Sequence, residues 1–81
     1  MKQLSQTPHA YDVAIDSIMA QVETEVKKVA TTKSVQRISQ NTLRFHFNNE
    51  TEYYKALPVA FDVDDCEIYP NEEHLRITIY F

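Results

Sequence analysis

Hydrophobic residues along this chain follow first one period and then another. Between residues 8 and 30, Tyr11, Ile15, Ile18, Val22, Val26 and Val29 recur at spacings of four, three, four, four and three. That spacing describes one face of an amphipathic helix. Thr7 can cap its start, and Pro8 suits the first helical position, where no backbone N–H is needed. Asp12 and Asp16 lie early and Lys27 and Lys28 late, in accord with the helix dipole. Residues 1–6 are expected to be a flexible lead-in.

The period then changes to two. "SVQRIS" and "TLRFHF" flank Gln40-Asn41, and Leu43, Phe45 and Phe47 alternate with Arg44 and His46. This predicts a β-hairpin over 34–39 and 42–48, with Asn41 left-handed at the turn. Val35 and Ile38 have opposite parity, so only one of them can face the core. Asn49 followed three residues later by Glu52 reads as a capping box. It opens a second helix over 50–57, which Pro58 is expected to stop. Val59, Phe61 and Val63 then alternate as a strand, whereas Cys66 and Ile68 take the other parity. A bulge at Asp64-Asp65 is expected to reconcile them. In the final run "HLRITIYF", Leu75, Ile77, Ile79 and Phe81 share one face, and Arg76, Thr78 and Tyr80 the other.

The order is therefore α-β-β-α-β-β. It predicts an α+β domain with a long N-terminal helix packed on a four-stranded antiparallel sheet. At 81 residues the chain makes a single domain of modest core size. An open strand edge invites pairing, so the last strand is expected either at the sheet centre or against a second subunit. A homodimer through the C-terminal strand or the long helix follows as one expectation.

Composition narrows the chemistry. Glycine is absent, which excludes the glycine-dependent phosphate loops and leaves turns to Asn, Asp and Pro. The net charge of −4 disfavours nucleic acid or an anionic membrane as the main partner. Cys66 is the single cysteine, so no disulfide can form within the chain. With no apolar run near the start or long enough to span a bilayer, a cytoplasmic location is expected.

Charge is also segregated. Residues 26–49 carry Lys27, Lys28, Lys33, Arg37 and Arg44 and no acid. Residues 61–73, "FDVDDCEIYPNEE", carry Asp62, Asp64, Asp65, Glu67, Glu72 and Glu73 and no Lys or Arg. Adjacent hairpins could neutralise one another, with Arg37 or Arg44 opposite Glu67 or Glu73. Alternatively, the acidic segment is a surface for a basic partner, or the basic hairpin grips nucleic acid, a reading that the surrounding acids disfavour because they repel phosphates.

Catalytic and metal readings fit poorly. Asp62, Asp64 and Glu73 fall at positions 1, 3 and 12 of a calcium-loop frame, but Glu67 occupies the place that needs glycine. His9, His46 and His74 are too scattered for a zinc site. Cys66 lies among carboxylates that raise a thiol pKa, the opposite of what a nucleophile needs. No cofactor, metal site or catalytic group is expected. Tyr11, Phe45, Phe47 and Phe61 are in phase with the core, whereas Tyr54, Tyr69 and Tyr80 are out of phase.

The residues expected to bind are Asp62, Asp64, Asp65, Glu67, Tyr69, Glu72 and Glu73. They predict a small acidic, non-catalytic binding protein whose partner is a protein with a basic surface. Carboxylates spaced along a strand and turn can occupy a basic groove as phosphates do. The setting that suits such a nucleic-acid mimic is inhibition of a nucleic-acid-handling enzyme, as by an anti-defence factor of a phage or mobile element.

Overall fold

The computed structural model describes residues 14–81, together with the backbone of residues 2–13 as the start of the first helix. Elements follow in the order α1 (Lys2–Val29), β1 (Ser34–Ser39), β2 (Thr42–His46), α2 (Glu50–Phe61), β3 (Glu67–Asn71) and β4 (Arg76–Tyr80). This is the expected α+β arrangement. α1 begins at Lys2, within the expected lead-in 1–6 and ahead of the Thr7-Pro8 start, so Thr7 does not cap it and Pro8 lies inside it. Met1 and the side chains of His9 and Tyr11 lie outside the described residues.

The four strands form one antiparallel sheet in the order β1-β2-β4-β3. β2 and β3 run parallel with β4 between them, so β2-α2-β3 is a split β-α-β unit. β4 is hydrogen-bonded on both sides and offers no edge to a second subunit. The exposed edges belong to β1 and β3. β3 carries Pro70, a residue that blunts an edge because it cannot donate to a ladder.

Register divides the sheet into two faces. The rows Val35–Phe45–Ile77–Pro70 and Arg37–Leu43–Ile79–Ile68 lie on the helix side. Leu43, Phe45, Ile77 and Ile79 are fully buried there with Met19, Val26, Ala56 and Ala60. Phe45, Phe47 and Tyr53 form an aromatic chain at the α2 end of this core. The rows Gln36–Arg44–Thr78–Tyr69 and Ser34–His46–Arg76–Asn71 lie on the opposite face, which neither helix covers.

Several expectations are corrected by packing. Among the described side chains of α1 the buried positions are Met19, Val22 and Val26, with Ala30 just beyond its end, while Ile18 and Val29 are each 43% exposed. Two stripes satisfy helical spacing, and the flexible Met19 fills the sheet groove better than the β-branched Ile18. Pro58 does not stop α2, which continues to Phe61. The carbonyl of Tyr54 loses its helical partner there, but both residues are exposed, so water can replace it. Val59 and Phe61 are therefore helical rather than strand residues, and Phe61 is exposed instead of core.

Turns also differ from expectation. Asn41 is not left-handed; the positive-φ positions among the described residues are Asp65 (57°) and Leu75 (52°). In the first hairpin the register shifts between Arg37 and Ser39, which leaves Ile38 exposed and Val35 packed on the core. The Ser39 hydroxyl donates to Thr42 Oγ1 at 2.9 Å and holds the turn. Asp64 and Asp65 do not bulge a strand; they form the loop from α2 to β3.

The capping box at α2 is half formed. Asn49 Oδ1 accepts from Glu52 N at 3.0 Å, but the Glu52 carboxylate accepts from Thr31 N at 2.7 Å. That contact ties the α1–β1 connection to the start of α2.

Candidate functional site

The acidic segment is distributed over three places. Asp62 caps the C-terminus of α2, and Asp64 and Asp65 follow in the loop. Glu67 and Tyr69 stand on β3 in rows with Tyr80 and Thr78, which places them on the open sheet face. Glu72 and Glu73 lie in the β3–β4 turn at the far end of β3. A five-residue strand spans about 17 Å, so the two acidic ends do not form a continuous row. The Glu72 carboxylate accepts the hydroxyl of Tyr54 on α2, which draws it to the helix side.

Asp62, Asp64 and Asp65 are brought together with residues distant in sequence. They border a groove of about 950 Å³ between α1 and the C-terminal end of α2. Its apolar lining comes from Ile15, Ile18, Val22, Val59, Val63 and Phe81, and Glu25 adds a fourth carboxylate. All three aspartates are exposed and form no ion pair among the described residues. Glu25 is paired with Lys28 at 3.2 Å. An apolar lining beneath free carboxylates can bury aliphatic surface while attracting a cation.

The expected pairing between hairpins does not occur. Arg37 bridges to Asp16 on α1, and Arg44 Nε donates to Thr78 Oγ1 at 2.9 Å. Neither meets Glu67 or Glu73. Lys27, Lys28 and Lys55 pair within their helices with Glu23, Glu25 and Glu52.

Chemistry elsewhere is sparse. Cys66 is half-buried and donates to the Val63 carbonyl at 3.3 Å. Burial raises its pKa, and Asp64 and Asp65 raise it further. No group of three or more His, Cys, Asp or Glu among the described residues is placed to hold a metal ion. No helix among them is long and apolar enough to cross a membrane.

No family model, curated protein or solved structure matches this chain.

The α1 side of the groove is absent from the residues singled out in the sequence. The available signal was the width of the α1 apolar stripe. Ile18 and Val29 extend it beyond the face that one sheet can cover, leaving a second apolar strip exposed.

Proposed function

We propose that this chain is a non-catalytic binding domain that receives a basic, partly apolar segment of a protein partner in the groove between α1 and α2. The observation that carries this reading is the convergence of Asp62, Asp64 and Asp65 over the apolar lining supplied by Ile15, Ile18 and Val22. Lys or Arg side chains suit such a rim because their aliphatic stems cover apolar surface while the charged heads reach the carboxylates. Complementary charge accelerates encounter, and apolar anchoring slows release. A nucleic-acid-handling enzyme that presents such a segment falls within the proposed partner class, and occupation of its basic surface would make this chain an inhibitor. Docking by a localised rim replaces mimicry of a long phosphate row, because Glu72 and Glu73 lie at the other end of the hairpin.

The test uses two synthetic amphipathic peptides of equal length, one with Lys and Leu at helical spacing and one with Glu in place of Lys. Binding of the Lys peptide should shift backbone NMR signals of Ile15, Ile18, Val22 and Val63. Replacing Asp62, Asp64 and Asp65 by Asn should slow association and flatten its salt dependence. Asn at position 65 retains a residue suited to positive φ. Ile18→Ala should speed dissociation. Equal binding of both peptides, or shifts confined to other surfaces, would remove the groove from the functional account. Concentration-dependent dimerisation that buries the same residues would assign it to self-association instead.

A further inference from the structure

The sign of the charge on the open sheet face differs from that of the chain. Among the described residues, Lys27, Lys28, Arg37 and Lys55 have carboxylate partners, whereas Lys33, Arg44 and Arg76 have none. These three surround one residue, His46. Arg76 is its register partner on β4, Arg44 lies two residues before it on β2, and Lys33 N donates to its carbonyl at 2.7 Å. His46 is itself held to Gln36 at 3.0 Å between side chains. Desolvation depresses the His46 pKa most, followed by the charges of Arg44, Arg76 and Lys33. The cations therefore act on a common point of this face.

Aromatic surface adjoins that point. Tyr69 and Tyr80 are 52% and 42% exposed, with ring centroids 5.2 Å apart and planes at 86°. Tyr69 is in the same lateral row as Arg44, across Thr78. Glu67 is the one carboxylate within the open-face rows of the described sheet, and it accepts the Tyr69 hydroxyl at 3.0 Å. The face thus runs from a cationic end to an aromatic end.

We propose that this open face binds single-stranded nucleic acid, with phosphates at Arg44, Arg76 and Lys33 and a base against the Tyr69–Tyr80 pair. Cations that track a backbone, beside aromatic rings that accept planar bases, are the two requirements of single-strand binding. Both helices lie on the opposite side, so neither projects from this face to enter a duplex groove. The chain's negative total does not decide the matter. Asp62, Asp64 and Asp65 border the α1–α2 groove and Glu72 and Glu73 lie in the β3–β4 turn, while Arg44 and Arg76 stand on the sheet face with Lys33 at its margin. The site is separate from the proposed peptide groove.

The test is fluorescence anisotropy with a labelled oligothymidylate of about 12 nucleotides, repeated across salt concentrations. Melting by circular dichroism identifies folded variants. Tyr69→Ala and Tyr80→Ala should each weaken binding about tenfold. Arg44→Gln and Arg76→Gln should each flatten the log–log salt slope by about 0.7. Replacing Asp62, Asp64 and Asp65 by Asn should leave oligonucleotide affinity unchanged or tighten it, which separates this surface from the groove. Absence of binding at low salt, or binding untouched by all four face variants, would overturn the proposal. Equal competition by polyglutamate would reassign the face to acidic peptides, and equal binding of duplex would exclude base stacking.

Discussion

Tyr54 on α2 donates its phenolic hydrogen to the carboxylate of Glu72 in the β3–β4 turn. The contact clamps the split β-α-β unit across its open end. The bond to Glu72 is the largest cause of a Tyr54 pKa pushed up to about 12, with desolvation next. Unfolded tyrosine ionises near 10, so the unfolded chain releases this proton first. The contribution to stability is full below that value and is lost as pH rises towards about 12. Alkaline unfolding curves of wild type and Tyr54→Phe should therefore converge at high pH. Parallel curves through that window would show that the clamp does not govern the titration.

The acid side has two contributors of the same sign. His46 has a pKa below its ordinary 6.5, chiefly through desolvation and then Arg44, Arg76 and Lys33. Glu52 lies below 4.5, chiefly through the Thr31 N–H and then Lys55. Both groups bind protons more readily when the chain is unfolded. Their stability contributions are present above the unfolded values and decline as pH falls through 6.5 for His46 and 4.5 for Glu52. His46→Gln should remove the upper part of this decline, and Glu52→Gln the lower part, in melting temperatures measured across pH.

Two adjacent residues on α1 should respond very differently to charge. Met19 is fully buried and Ile18 is 43% exposed. Met19→Asp buries an unpaired carboxylate and removes core packing, a loss of about 3–5 kcal/mol that should unfold a domain this small. Ile18→Asp should cost about 1 kcal/mol or less while abolishing peptide capture in the groove. Chemical denaturation of both variants tests the pair. Comparable losses would place Ile18 in the core after all.

Cys66 should behave as a packing residue. Burial and the charges of Asp64 and Asp65 both disfavour its thiolate. Reaction with a thiol reagent at neutral pH should be slower than that of a free cysteine peptide, and should accelerate in denaturant. Cys66→Ser should retain the fold. Rapid labelling of the native protein would contradict the geometry.

Much of the architecture was legible because periodicity reports one-sided burial directly. Alternation of Leu43, Phe45 and Phe47, and of Ile77 and Ile79, identified both central strands. Asn49 located the α2 cap to the residue. Pro58 misled because a proline's cost depends on whether the orphaned carbonyl reaches water, and here it sits on an exposed helix face. With no glycine in the chain, Leu75 adopts a positive φ that its residue type does not suggest. Its placement follows from closing the β3–β4 turn, where Leu75 N donates to Glu72 O at 3.1 Å.

Local order along the chain determined the α-β-β-α-β-β succession and the inward parity of the central strands. These depend on patterns that one element expresses alone. Tertiary structure decided which helix stripe is buried, which strand is central and which charges meet. Pairing β2 with β4 put Arg44 beside Thr78 and Arg76 beside His46, and packing α1 against α2 set Asp62, Asp64 and Asp65 above Ile18. Such neighbours are separated by tens of residues, and the register and helix rotation that join them arise only when the elements compete for one core.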